Sequence, residues 1–166
     1  MKNFLSLPFL VFATSALAQP VTWGTAGGWD ILIDTDGRHA CYATRTLEDG
    51  SAVFIGFDPG GKGGYFSIYN PGWTHIEEGQ EGLVEFDFGR AKFAGEAVGT
   101  FRDGVPGGYA FFNNPAFADA FARYETVQIT GSKGASFSMA LSGTHKAVTA
   151  VRQCQTAQPP VPDSSE

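Results

Sequence analysis

Two aspartates and a glycine, Asp34, Asp36 and Gly37, stand just ahead of His39 and Cys41 in the stretch WDILIDTDGRHACYA, residues 29–43. Acidic oxygens around a glycine are the raw material of a calcium loop, and a His-x-Cys pair is the raw material of a transition-metal site. The calcium reading fails on spacing. An EF-hand loop carries glycine at its sixth position, oxygen ligands at the first, third and fifth, and glutamate at the twelfth. With Gly37 at the sixth, Leu32 falls at the first and Ala43 at the twelfth. Zinc needs more ligands than His39 and Cys41, and the chain holds no CxxC or HxxxH, so no metal or other cofactor is expected. The stretch reads as a β-hairpin whose turn aspartates bond backbone amides.

Three further groups could do chemistry. Gly60-Gly61-Lys62-Gly63-Gly64 has the glycines of a phosphate cradle, but Gly63 follows the lysine where that motif needs Ser or Thr and then a helix. It reads as a flexible hairpin loop. The histidines His39, His75 and His145 are far apart in sequence, and neither a G-x-S-x-G elbow nor an S-x-x-K accompanies them, so no catalytic residue is assigned. The run Ile76 to Gly82 gathers Glu77, Glu78 and Glu81, extended along a strand by Glu85 and Asp87. Paired carboxylates beside Trp73 would suit glycoside hydrolysis, with the indole as a sugar platform. The plainer reading is a solvated acidic loop with Trp73 packed as a lid on the core. Trp73, His75, Glu77, Glu78 and Lys62 are the candidate binding residues, chosen for their loop positions.

The elements that must position these residues follow from compartment and pattern. A short basic start, Met1-Lys2-Asn3, precedes an apolar run from Phe4 to Thr14 and ends in Ala16-Leu17-Ala18, the pattern of a secretory signal peptide cut before Gln19. That run is shorter than the roughly 20 residues needed to cross a bilayer, so a periplasmic or secreted protein with no transmembrane segment after cleavage is expected. The chain has 11 basic and 17 acidic residues and a net charge of −6, and loss of Lys2 makes it more acidic. Nucleic acid and anionic lipid are disfavoured as partners, because both demand clustered lysine and arginine. The two cysteines, Cys41 and Cys154, are expected to pair in an oxidising compartment, with two buried free thiols as the alternative.

Short alternating segments separated by Gly, Asp and Pro dominate the chain. Residues 29–33, 41–47 and 52–58 read as a meander, with a tight Asp49-Gly50 turn before its third strand. Further strands are expected at 65–69, 83–88, 92–98 and 109–112, with 102–108 as a glycine-rich loop. Asn114 caps a helix opening at Pro115 that carries Phe117, Phe121 and Tyr124 on one face. A last hairpin, 126–130 with 135–141, leads into a short helix begun by Ser142 or Thr144 and ending near Cys154. From Gln155 onward the polar, proline-rich composition predicts a disordered tail. The pattern suggests a sandwich or a partly closed barrel. The fold class adopted is all-β, an antiparallel two-sheet, immunoglobulin-like β-sandwich over residues 19–154 with one or two short helices.

Gly28-Trp29 followed by Cys41 after a hairpin, and the late SFSMALSGTHKAVTAVRQC ending at Cys154, resemble the small exported proteins of the invasion associated locus B type from alphaproteobacteria. The resemblance implies a two-sheet β-sandwich in the periplasm or outside the cell and carries over no catalytic residue. The expected function is a non-enzymatic binding or envelope-associated protein whose partner is a protein or envelope component. Two alternatives stand beside it. One is a small secreted hydrolase built on Glu77, Glu78 or His75 around Trp73. The other is a protein inhibitor or immunity factor that inserts the loop at 60–64 or at 102–108 into a target.

Overall fold

The computed structural model describes residues 19–35, 40–58, 63–132 and 134–159. The expected signal peptide 1–18, the Asp36-Gly37 turn, His39, Lys62, most of the glycine loop around it and the end of the tail lie outside the described residues. The strands are β1 (Val21–Ala26), β2 (Trp29–Ile33), β3 (Cys41–Thr46), β4 (Ala52–Phe57), β5 (Gly64–Tyr69), β6 (Glu81–Asp87), β7 (Lys92–Arg102), β8 (Val105–Phe112), β9 (Thr126–Gly131) and β10 (Ser136–Ala140). The helices are α1 (Pro115–Arg123) and α2 (Thr144–Thr156). The described residues are therefore mainly antiparallel β with two helices.

All ten strands lie in one ladder, in the order β1-β2-β3-β4-β5-β8-β7-β6-β9-β10. Two separate sheets were expected, and the observed ladder is continuous. The join lies at β7 and β8, which are longer than alternation alone indicates. Arg102 pairs with Val105 across Asp103-Gly104, and both turn residues have positive φ, 51° and 79°. That is a two-residue hairpin turn matched to strand twist. The expected loop 102–108 is thus mostly strand, because Gly107 and Gly108, which read as loop residues, sit in register opposite Tyr69 and Ile68. The strand β1 was also unexpected. It is an edge strand with a bulge and with Val21 and Trp23 exposed, so it shows no buried apolar face to read.

The sheet curls until its two ends meet. The Trp29 indole on β2 and the Arg45 guanidinium on β3 both donate to the carbonyl of Ser142, just beyond β10, at 3.3 and 3.2 Å. The turn between β1 and β2 presses on the turn into α2. A Cβ placed on Gly27 would come within 2.4 Å of the Gly143 carbonyl oxygen, so only backbone fits there. Helix α2 lies against β1 to β4 and buries Ala147, Val148 and Val151. It begins at Thr144, whose hydroxyl donates within the α1–α2 junction to the carbonyls of Phe121 and Leu141. The helix runs through Gln155 and Thr156, past the boundary expected at Cys154. Its polar last turn is held by tertiary contact, with the Gln155 side chain accepting from the Cys41 amide at 2.8 Å.

Helix α1 follows its sequence signals. Asn114 accepts from the Ala116 amide at 3.0 Å, Pro115 opens the helix, and Phe117 and Phe121 are buried. These two rings enter a phenylalanine cluster with Phe66, Phe86, Phe88 and Phe112, with centroids 4.6 Å apart for Phe112–Phe117 and 5.1 Å for Phe88–Phe121. On the opposite face of the sheet, Tyr42, Phe54 and Tyr69 form a second, smaller cluster. There Tyr65 lies over its cross-strand partner Gly56 and Tyr69 over Gly107, so rings occupy the area that the missing side chains leave.

Cys41 and Cys154 are bridged across a separation of 113 residues, tying β3 to α2. Replacing both by serine is expected to cost about 2–5 kcal/mol, read as a lower urea midpoint with the fold retained. A second expectation concerns pH. Burial pushes the Tyr65 phenol well above its ordinary value; Tyr42 and Asp34 add to the shift and Arg102 opposes it, and burial raises Tyr42 as well. The neutral ring is the form that the fold favours, so its stabilisation is complete below the unfolded pKa, about 10, and is lost as pH rises beyond it. Urea midpoints measured from about pH 9 to 11 should fall more steeply for the native protein than for Tyr65→Phe, with Tyr42 keeping a residual slope.

Candidate functional site

The segment from Asn70 to Gln80, between β5 and β6, is pinned at both ends. At its start the Asn70 side chain accepts from the Gly72 amide at 2.7 Å and donates to the buried Ser51 hydroxyl at 2.7 Å, while Trp73 N–H bonds the Asn70 carbonyl. At its end Gly79 N–H donates to the Gly99 carbonyl and Gly99 N–H to that of Gln80, at 2.9 and 2.8 Å. Gly99 permits this contact, because a Cβ there would lie 2.5 Å from the Glu77 carbonyl oxygen. The segment is thereby laid over one end of the curled sheet. Trp73 packs edge-on against Phe137 of β10, with centroids 6.1 Å apart.

Beneath it lies a cavity of about 190 Å³. Its walls are Phe66, Ile68, Val84, Phe86, Ile129 and Phe137, and Trp73 and Ile76 cover it. The space exists because inward positions on neighbouring strands are small. Gly82 on β6 pairs with Ala97 on β7, Ala97 with Ala110 on β8, and Gly99 with Gly108. Two rows further along the same face, Phe86 pairs with Phe93 and the phenylalanine cluster fills the volume. An apolar cavity of roughly 150 Å³ is enough to stay dry and take benzene, so this one is large enough to receive an apolar group.

Of the candidate residues, the structure brings Trp73 and His75 to the cavity; the Glu77 and Glu78 side chains do not line it. Both oxygens of Glu78 are engaged by β7, one by the Thr100 hydroxyl at 2.9 Å and the other by the Phe101 amide at 3.1 Å. Glu85 and Asp87 turn to the other face and meet Lys92 at 3.5 and 2.7 Å. The Lys92 ammonium and the Gly89 amide hold the Asp87 carboxyl below its usual value. Ser132 and Ser136 line the cavity, but their hydroxyls serve the Leu83 amide and the Gln128 side chain. His145 is exposed on α2 and does not line the cavity. Among the described residues no three His, Cys, Asp or Glu side chains gather as a metal site would require. The geometry at this place is that of a receptor for an apolar group, with one imidazole and one carboxylate, Glu81, among its lining residues.

Trp73, expected as a lid on the core, and His75 line the cavity, whose floor was not expected. The signal was present as small residues at alternate positions, Gly82, Ala97, Gly99, Gly108 and Ala110. They become a cavity only when register aligns them.

No family model matches the chain, and no curated protein matches it. Among solved structures it is similar to the invasion associated protein B of Bartonella henselae, with a TM-score of 0.58 and 14% identity over 80% of this chain and 96% of that one. The likeness is one of fold, and it supports the invasion associated locus B-like fold that the cysteine-bearing ends of the sequence resemble.

A hydrogen-bonded Glu78 that turns away from the cavity makes a specific forecast. Glu78→Gln should cost about 1–2 kcal/mol in urea unfolding, because a charge-assisted pair of bonds is weakened. The same substitution, and Glu77→Gln, should leave uptake of a hydrophobic fluorophore unchanged. A loss of uptake in either variant with normal stability would contradict this placement.

Proposed function

We propose that this chain is an exported, non-enzymatic binding protein, periplasmic or secreted and associated with the envelope, which receives an apolar group of its ligand in the cavity beneath Trp73. The carrying observation is the cavity itself. It is walled by aromatic and aliphatic side chains, and no carboxylate pair, activated serine or histidine couple converges on it among the described residues. Concave apolar pockets with few polar groups are the usual form of small-ligand sites.

Other features support the exported setting. The pattern of residues 1–18 is that of a cleaved leader, and a disulfide between distant cysteines persists in oxidising compartments. No described helix is long and apolar enough to cross a membrane. We read the chain as one leader, one folded unit beginning near Gln19 and a polar tail, and the curled sheet as a sandwich-like closure around one core. The likeness to the Bartonella protein supports an envelope setting for this fold, and host invasion itself is left out of the proposal.

The hydrolase alternative loses its main support, since Glu77 and Glu78 do not reach the cavity. The inhibitor alternative relied partly on a loop at 102–108, which is a hairpin ending in a two-residue turn.

The test uses protein recovered from the periplasm or medium with its disulfide intact. It should begin at Gln19 and bind N-phenyl-1-naphthylamine saturably with one site per chain. Ala97→Leu, which fills the cavity floor, should abolish that uptake without lowering the thermal midpoint. Retention of residues 1–18 in cytoplasmic protein, or the absence of a saturable site, overturns the proposal.

A further inference from the structure

We infer that the group taken by this cavity is a linear alkyl or acyl chain that ends in an uncharged head, an ester, an amide or an alcohol, rather than a free fatty carboxylate or a compact ring. This rests on the reading of the cavity as a binding site and adds the class of its ligand.

Shape carries the first step. Strands β5, β8, β7, β6 and β9 wrap around the cavity, so its axis follows the strands. Its inward rows follow the register: Gly99 with Gly108 at the mouth end, then Gly82 with Ala97 and Ala110, then Val84. Phe66, opposite Ala110, walls the row of Gly82, and Phe86, two rows further along β6, closes the far end. From Gly82 to Phe86 the strand advances about 13 Å at roughly 3.3 Å per residue. A blind, apolar tube of that depth suits a linear chain entering from the mouth. A single ring, which a cavity of roughly 150 Å³ already takes, would leave the remainder of the 190 Å³ unfilled at one end of the tube, and unfilled apolar volume forfeits dispersion contacts.

Charge carries the second step. Among the described residues that line the cavity there is no Lys or Arg, while Glu81 is one of them. Against the described residues of this mouth a carboxylate would lose hydration, gain no cation and meet a like charge. An ester or amide carbonyl has no such cost. The mouth offers it donors: the Gln80 amide, and the Ser132 hydroxyl, whose oxygen accepts from Leu83 N–H at 3.4 Å and whose proton is free to turn towards a ligand. His75 stands exposed beside them.

Competition against N-phenyl-1-naphthylamine tests this on the native, disulfide-bonded protein. Dodecanol should displace the probe at least tenfold more tightly than laurate at neutral pH. Along the series of straight-chain alcohols affinity should rise about fourfold per methylene until the tube is full. Monolauroylglycerol and an N-lauroylated, amide-capped peptide present the same chain from a glycerolipid and from an acylated protein. Displacement by either supports the inference, and the tighter of the two names the source. His75→Lys, which supplies the missing cation at an exposed position, should raise laurate affinity towards that of the alcohol. Equal displacement by toluene and dodecanol with no chain-length dependence, equal displacement by laurate and dodecanol, or displacement by neither lauroyl ligand overturns the inference while probe uptake leaves the binding-protein reading in place. If the probe itself finds no saturable site, it is the earlier reading that fails.

Discussion

The closure of the curled sheet is the constraint on which the rest depends. A ten-stranded antiparallel sheet has two edges and two faces, and here one face becomes an interior only because the first and last elements meet. The meeting is made of backbone against backbone at Gly27 and Gly143, of two donors converging on the Ser142 carbonyl, and of the Cys41–Cys154 bridge. Each acts between segments more than ninety residues apart. Cross-links of that span remove more freedom from the unfolded chain than local contacts do, although native strain and residual structure reduce what is realised. With the ends joined, α2 fills the gap between them, and α1 docks on it through Thr144 and the Arg152–Asp119 pair.

Inside that closure the concave face is uneven. One end is packed with phenylalanine from four strands and α1, ring against ring, at distances where edge-to-face contacts are favourable. The other end has glycine and alanine in the same inward rows, and a pinned segment carrying Trp73 over it. Native interiors are normally packed to the density of organic crystals, so a patterned vacancy that is roofed rather than collapsed is the feature of this molecule that most resembles a purpose. The outer face shows the reverse solution to missing side chains. There tyrosines lie across Gly56 and Gly107 and leave no space.

Much of the scaffold was legible because it is written in local chemistry. Asn114-Pro115 specifies a helix start through a cap and a preset φ, and Asp49-Gly50 specifies a turn because glycine takes positive φ without strain. Alternation at Phe137, Met139 and Leu141 gave both the strand and its buried face. The failures also have local causes. Edge strand β1 buries little, so it shows no alternation, and Gly107-Gly108 mimics a loop while serving as strand opposite aromatic partners. At the site, Trp73 and His75 both line the cavity. Glu77 and Glu78 are their neighbours in sequence but not at the cavity, and the Glu78 carboxylate is held by β7 beside the turn at Gly79.

The sequence by itself determined the export pattern, the acidic balance, the cysteines available to pair, most of the strands and the Asn114 cap of α1, since each depends on composition or on a few adjacent residues. Tertiary structure alone decided that the strands form one continuous ladder, that the segment after β10 returns to β2, and that small residues from β6, β7 and β8 share one row. The physical reason is register. Alternation says which side of a strand a residue faces, but which residues stand opposite one another is set by hydrogen bonds between strands distant in sequence. A cavity belongs to those pairings rather than to any one segment.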